Sequence, residues 1–356
     1  MRNTIYLLLL ICHVVSGQVL IKDRHQIDYK TFPQKNEHIQ EIQIYLNDNP
    51  STEKRQNYFG LLKTFARYNE DGKIIDYHEN KKYEFLSDRY RFFYKDGMLF
   101  EIQKKGVSDR TLYKWQFIDN LISEEIKYDR KNKVKYKWKS VIEDNGIIKT
   151  EKSDKKNNIL YTINYIYNDN NLLEELQLVK KGKKKSYWKF IYDDMKRNSQ
   201  SVKYNSGNSV IESWKTEYTD NDDTLAIIKY DKRGIAQYMK YYTYDSDGKL
   251  IGFSYYDNLK ETKNEWKYIY NNHGLKIEKQ YYGKKGLASI IKYEYNEDQE
   301  LINEKQYFYY GFYDPNYTYS SIKNYKYNNK GDAIEVTLKD KYNSIISIKR
   351  YIYLYF

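Results

Sequence analysis

The sequence predicts an all-β fold, an antiparallel meander of about twelve hairpin repeats with a period of about 25–26 residues that forms an extended or curled repeat sheet. Two of the supporting observations are compositional: 44 of the 356 residues are tyrosine, and only 3 are proline. The third is the recurrence of a tyrosine before a turn rich in Asn, Asp and Gly. Aromatic residues favour half-buried strands, so the composition and the recurrence indicate the same fold class.

The repeat is marked by the residue that precedes each turn, which we call the anchor. Successive anchors are 23 to 26 residues apart, except for one step of 32 residues. Ten of the twelve anchors are tyrosine, which makes a chance recurrence a poor explanation. The anchors are Tyr68, Tyr94, Asp119, Ile142, Tyr167, Tyr192, Tyr218, Tyr244, Tyr270, Tyr295, Tyr327 and Tyr353.

All five tryptophans of the chain occupy the position four residues before an anchor, namely Trp115, Trp138, Trp188, Trp214 and Trp266. Residues at even spacing share one face of a strand, so each tryptophan faces the same way as its anchor. Each repeat opens with this strand, passes a turn, returns on a second strand and closes with a second turn. The pattern therefore predicts roughly twenty-four short strands.

The segment YTYDSDGKL, residues 242–250, fits the pattern Y-x-Y-D-x-x-G-[RK]-L and resembles the YD repeats of bacterial RHS-type proteins. The repeats around Tyr68, Tyr94, Tyr268 and Tyr325 match the pattern less closely, and the period here is several residues longer. The resemblance implies an all-β repeat sheet, often wound into a shell. It also implies an exported protein that binds carbohydrate or encloses cargo.

The start of the chain has the layout of a cleaved export signal, with Arg2, an apolar run from Ile5 to Val15, and small residues before Gln18. We predict a signal peptide at 1–17, an N-terminal cap or degenerate first repeat at 18–57, and the hairpin array at 58–356. The predicted location is therefore outside the cytoplasm: periplasmic, cell-surface or secreted.

The charge of the chain is strongly positive, at +12, and removal of the predicted signal peptide would leave no cysteine. A positive balance favours anionic partners, which outside the cytoplasm are glycans, cell-wall polymers or lipid headgroups rather than nucleic acid. Solubility explains the same charge equally well, because lysine on exposed strands prevents edge aggregation. Neither a cofactor nor nucleic acid is expected, and the chain is not expected to be integral to a membrane.

Residue types that carry catalysis are scattered along the chain. The histidines outside the predicted signal peptide lack metal-ligand spacing, and His273 occupies a turn position. The acidic turns at Asp220–Asp223 and Asp245–Asp247 place oxygen ligands at alternate positions but do not complete a calcium loop. We therefore predict no enzyme, no catalytic residue and no metal site.

Binding is predicted at three sets of residues. The first is the insertion in the longest repeat, because insertions in repeat proteins often carry the binding face. The second is the tryptophan rows, which suit the packed core as well as stacking of sugar rings. The third is two lysine clusters. The candidates are Tyr309, Tyr310, Phe312, Tyr313, Tyr317 and Tyr319 in the insertion, Trp188, Trp214 and Trp266 in the rows, and Lys135, Lys137, Lys183 and Lys185 in the clusters.

These observations predict an exported, non-enzymatic protein that binds an envelope or extracellular polymer, either a glycan or another anionic polymer. One alternative is a structural scaffold or shell for a protein partner. A lower-ranked alternative is an outer-membrane β-barrel, suggested by the C-terminal segment RYIYLYF. The lysines and glutamates that interrupt both strand faces argue against that barrel.

Overall fold

The computed structural model describes residues 39–47, 61–79, 88–106, 109–119, 121–143, 146–308 and 320–355. Across these ranges the chain forms 24 strands and no helix, and the strands pair in an antiparallel meander. The predicted fold class is therefore confirmed. No helix in the described ranges is long and apolar enough to cross a membrane. The predicted signal peptide and most of the segment 18–57 lie outside the described residues.

The strands divide between two compact units. Unit 1 contains most of β3 and the strands from β4 to β15, and unit 2 contains β1, β2 and the strands from most of β16 to β24. The first twelve are β1 (Ile39–Asn47), β2 (Leu61–Tyr68), β3 (Ile74–Glu79), β4 (Asp88–Lys95), β5 (Met98–Lys105), β6 (Thr111–Ile118), β7 (Leu121–Tyr128), β8 (Val134–Glu143), β9 (Gly146–Asp154), β10 (Ile159–Tyr167), β11 (Leu173–Lys180) and β12 (Lys183–Tyr192). The others are β13 (Asn198–Asn205), β14 (Val210–Tyr218), β15 (Thr224–Asp231), β16 (Ala236–Tyr244), β17 (Leu250–Asp257), β18 (Thr262–Tyr270), β19 (Lys276–Gly283), β20 (Gly286–Tyr295), β21 (Leu301–Phe308), β22 (Ser321–Tyr327), β23 (Ala333–Asp340) and β24 (Ile345–Tyr355).

The first and last strands of this series are hydrogen-bonded neighbours within unit 2. Ile42 of β1 lies opposite Ala66 of β2 on one side and opposite Tyr353 of β24 on the other. The first and last described strands are therefore not free sheet edges, and the prediction of an extended or curled sheet is corrected in that its two ends pair with each other. The segment 18–57, predicted as a cap or a degenerate first repeat, contains β1, which pairs with β2 and with β24.

The anchor tyrosines link each repeat to the one before it. In eight repeats the anchor hydroxyl donates a hydrogen bond to a backbone carbonyl at the start of the outgoing strand of the preceding repeat, at its first residue in seven cases and at its second, Ile147, in the repeat of Tyr167. Tyr295, for example, donates to the Lys276 carbonyl at 2.8 Å, and Tyr327 donates to the Leu301 carbonyl at 2.8 Å across the insertion. The other six donors are Tyr94, Tyr167, Tyr192, Tyr218, Tyr270 and Tyr353. This shared bond explains why tyrosine recurs at the anchor.

The residue after the anchor builds the turn. The Asp245 carboxylate accepts hydrogen bonds from the backbone N–H groups of Asp247 and Lys249, and the Asn271 amide oxygen accepts those of His273 and Leu275. Asn and Asp favour turns because their side chains bond nearby backbone in this way. The Tyr-Asp pair thus has two tasks: the hydroxyl reaches back to the previous repeat, and the carboxylate shapes its own turn.

We expect Tyr295→Phe to lower the free energy of unfolding by about 1 kcal/mol, because it removes one half-buried hydrogen bond and little packing volume. Denaturant unfolding followed by far-UV circular dichroism measures this loss. Tyr342→Phe is the matched control, since Tyr342 is 75% exposed in a turn. Equal midpoints for the two variants would show that the anchor hydroxyl contributes nothing.

The core of unit 1 lies on the face that carries its tryptophans. Trp138 and Trp188 are at most 1% exposed, and the Trp138 indole donates to the Tyr161 hydroxyl at 3.0 Å. The buried cluster consists of Trp138, Tyr161, Ile163, Leu176, Trp188 and Phe190, with Trp214 packed against it. In unit 1 the aromatic slot is therefore a structural feature.

Candidate functional site

The aromatic slot of the repeat is half-buried at Trp266 of unit 2 and at Trp214 of unit 1, whereas Trp115, Trp138 and Trp188 of unit 1 are buried. Trp188 has Leu176 and Lys203 as its cross-strand partners and is fully buried. Trp266, in the same slot of a later repeat, lies between Phe253 and Tyr281 and keeps part of its surface exposed. Solvent contacts Trp266 but not Trp188, so the two candidate residues have different environments.

Four half-exposed rings form a continuous row across four adjacent strands, which we call the aromatic ladder: Tyr242 (β16), Phe253 (β17), Trp266 (β18) and Tyr281 (β19). Consecutive members lie directly opposite each other, so they share one face of the sheet. The ring centroids are separated by 5.2, 5.1 and 5.1 Å, with interplanar angles between 30° and 43°. The result is a strip of aromatic surface that runs perpendicular to the strands.

Polar groups flank the ladder on the side of Tyr255, which is two residues from Phe253. The Tyr255 hydroxyl donates to the Asp257 carboxylate at 3.0 Å, and the Tyr281 hydroxyl donates to the Asn264 amide oxygen. The second Asp257 oxygen accepts the backbone N–H of Lys260 at 3.2 Å, whereas the Asn264 amide nitrogen can contact a ligand. The surface combines a flat apolar strip with oriented donors and acceptors, which is the usual composition of a small-molecule or oligomer site.

Tyr268, on the other side of the ladder, begins a set of poorly hydrated tyrosines on the same face. Burial raises the pKa of the Tyr242 and Tyr268 hydroxyls above the ordinary tyrosine value. Burial, with a smaller contribution from Glu304, raises the pKa of Tyr293 to about 12. Their hydroxyls therefore stay protonated and act as hydrogen-bond donors throughout the physiological pH range.

The predicted lysines fall in two environments. Lys137 pairs with Glu124 at 2.6 Å, which ties its charge to the sheet face. Lys135 is exposed above Tyr136, and Lys183 and Lys185 are exposed beside the turn between β11 and β12. The six aromatic candidates of the insertion, between Tyr309 and Tyr319, lie outside the described residues, so their role stays a prediction.

The sequence predicts Trp266 in an aromatic row but does not predict Phe253 and Tyr281 in it. The predicted rows contained only the first strand of each repeat, whereas the ladder also uses the outgoing strands β17 and β19. Phe253 lies opposite Trp266 because of the register between β17 and β18, and this register depends on turn lengths that vary between repeats. Aromatic residues in both strands of consecutive hairpins are the sequence signal that would have revealed the ladder.

The acidic turns serve the backbone. The carboxylates of Asp231 and Asp245 each accept two backbone N–H groups of their own turns. Among the described residues no group of three His, Cys, Asp or Glu side chains is arranged to hold a metal ion. His273 lies in a turn, as predicted, with its backbone N–H bonded to Asn271.

No protein-family model and no curated protein matches this sequence. Among solved structures, the chain is similar to part of the crystal structure of TcdB2-TccC3-Cdc42, with a TM-score of 0.41 and 12% identity over 84% of this chain. This chain spans 17% of the length of that one. Porin-like proteins from Bacteroides uniformis and Bacteroides vulgatus each give a TM-score of 0.25, at 8% and 9% identity, over 89% of this chain and 98% of theirs. At these scores the likeness identifies neither a family nor a function, and the resemblance to YD repeats stays a prediction from the sequence.

Proposed function

We propose that the protein is an exported, non-enzymatic β-repeat protein that binds an envelope or extracellular glycan along the aromatic ladder. The observation that carries the proposal is the row of four half-exposed rings at centroid spacings of 5.1–5.2 Å. Large aromatic side chains are costly to expose, and a contiguous exposed apolar strip on a soluble protein is most often a binding surface.

A glycan suits this surface better than an apolar ligand does. Pyranose rings present C–H groups on their faces and hydroxyls around their edges. The ladder offers rings for the faces, while Asn264 and the tyrosine hydroxyls offer hydrogen bonds for the edges. Asp257 and the flanking Lys240 and Lys279 carry opposite charges, so the strip has no strong preference for a charged polymer. A linear glycan lying across the strands would contact several rings at once.

The decisive variant is Trp266→Ala, tested by affinity electrophoresis of the full chain in gels that contain a panel of soluble bacterial and plant polysaccharides. We expect retention in at least one gel, and at least about a tenfold loss of affinity in the variant, because central aromatic residues dominate such interfaces. Phe253→Ala should weaken retention by a similar factor, since it supplies the adjacent ring.

Tyr241→Ala is the matched control, because Tyr241 is 42% exposed and adjoins Tyr242 in β16 but faces away from the ladder. Retention of this variant should equal that of the unaltered protein. An equal loss from Tyr241→Ala and Trp266→Ala would contradict a ladder site. No retention in any gel would instead favour the alternative of a scaffold for a protein partner.

The outer-membrane barrel is the lower alternative, and the closing pair β1–β24 is the observation in its favour. The exposed faces of the strands oppose it. Ile191 is exposed near the end of β12, and Lys189, two residues away on the same face, is exposed as well. A lysine facing lipid at the bilayer midplane costs about 2–4 kcal/mol. Lys139 of β8 and Lys215 of β14 are likewise exposed lysines on strand faces.

A further inference from the structure

Positive charge is concentrated at one end of the strands in unit 1. Alternate turns of an antiparallel meander lie at the same end, so the turns within 129–133, 154–158, 180–185 and 231–235, each taken with the strand residues beside it, share an end. We call these four turns the basic end. They hold twelve lysines and arginines and three aspartates, a net charge of +9. A fifth turn at this end, 205–209, carries no charge.

The cations of the basic end face solvent, whereas its three carboxylates are occupied. All twelve lysines and arginines are exposed. Asp129, Asp154 and Asp231 each accept two backbone N–H groups of their own turns. Hydrogen bonds to the turn also hold the pKa of each of these aspartates below its usual value. Among the described residues, no acidic side chain forms an ion pair with Lys131, Lys133, Lys155 or Lys156.

The opposite end of unit 1 is acidic. The turns at 168–172, 193–197 and 219–223 hold six aspartates and two cations, a net charge of −4. One of those cations, Arg197, is already paired with Asp193 at 2.7 Å and with Asp222 at 2.8 Å. Unit 1 is therefore strongly polarised along its strands, and a large negatively charged surface would orient it with the basic end inward.

Exposed aliphatic side chains lie beside the basic turns. Ile159, the first residue after the turn at 154–158, is 56% exposed, and Leu160 follows it. Val134 and Ile235 are exposed at two of the other basic turns. Exposed apolar residues also occur at the acidic end, for example Ile118 and Met195. Only the basic end combines them with excess positive charge, which is the composition of a surface that lies on a bilayer.

We propose that the basic end of unit 1 docks on a membrane surface that contains anionic lipid. The turn lysines contact headgroup phosphates, and Ile159, Leu160 and their neighbours enter the interfacial layer. The aliphatic side chains favour a lipid surface over a soluble polyanion, because a linear polyanion gains nothing from exposed isoleucine. This inference goes beyond the proposed glycan site and uses different residues in the other unit, so each can fail without the other.

The test is co-sedimentation of the full chain with vesicles of phosphatidylcholine alone or of equimolar phosphatidylcholine and phosphatidylglycerol. We expect binding only to the vesicles with phosphatidylglycerol, release by added salt or alkaline carbonate, and about fivefold weaker binding for each lysine removed. The variant Lys131→Gln, Lys133→Gln, Lys155→Gln, Lys156→Gln should therefore bind on the order of 600-fold more weakly.

The matched control removes four exposed lysines from the strand faces, Lys139→Gln, Lys189→Gln, Lys215→Gln and Lys267→Gln, and should bind much better than the turn variant. Equal losses of vesicle affinity in the two variants would show that binding depends only on the net charge of the protein, and they would overturn the proposal. Equal binding of the unaltered protein to the two vesicle types would overturn the proposal as well. This comparison needs no variant, so it tests the proposal even if a variant fails to fold. Ile159→Ser should weaken binding to vesicles but not to soluble polyphosphate; no effect on vesicles would favour a soluble polyanion instead.

Discussion

Replacing Trp188 by alanine is expected to lower the free energy of unfolding of unit 1 by about 3–5 kcal/mol. Trp188 is 0% exposed at the centre of the buried cluster, so truncation removes its contacts with Leu176 and Phe190 and leaves a cavity. Denaturant unfolding followed by far-UV circular dichroism measures the loss. Truncation of the half-exposed Trp266 should lower the free energy of unfolding much less, because solvent can occupy part of the space.

Trp188→Phe refines the same experiment. The Trp188 indole nitrogen is buried, and none of the described residues accepts its N–H. Phenylalanine keeps most of the ring volume and removes this unpaired donor, so we expect a loss below about 1.5 kcal/mol. Similar costs for Trp188→Ala and Trp266→Ala would show that the two tryptophans do not differ in burial as the structure has them.

The second large effect is expected from Ile42→Pro in β1. Proline cannot donate to a strand ladder, and inside a sheet it is tolerated only on edge strands or at bulges. Ile42 is flanked by β2 and β24, so the substitution should destabilise the protein by about 3 kcal/mol or more and expose strand edges that aggregate. Thermal unfolding and size-exclusion chromatography measure the two consequences.

Ile42→Thr is the control, because threonine is also β-branched and keeps the backbone N–H. We expect it to remain folded, with a smaller loss from reduced apolar burial. If proline and threonine had the same small effect, β1 would be a dispensable edge strand and the closing pair with β24 would not form in solution.

The repeat could be predicted from the sequence because its causes are local. A tyrosine such as Tyr270 is followed at once by its turn residue Asn271 and by Gly274 with a φ of +77°, all within one hairpin. Alternation along the strand then fixes which residues share a face. The hydrogen bonds from the anchor tyrosine hydroxyls to the preceding repeat recur with the same period, so they follow directly from the sequence pattern.

The closure, the ladder and the basic end could not be predicted in this way. Closure pairs residues such as Ile42 and Tyr353 at opposite ends of the chain, and no local pattern encodes that pairing. The ladder depends on the register of Phe253 against Trp266. The lysines at 131–133 and 155–156 look like separate charge runs until alternate turns are placed at one end of the strands. Each of these features requires knowledge of which strands are neighbours.

The pairing of β1 with β24 also sets the order of events during folding. All other consecutive strands can pair as soon as a hairpin is complete, within tens of residues, whereas β1 must wait for a partner more than 300 residues later in the chain. Contacts of such long sequence separation form slowly. A chain that emerges from its N-terminus therefore carries one unpaired edge of β1 until β24 has emerged, and the eleven residues of β24 decide when that edge is protected.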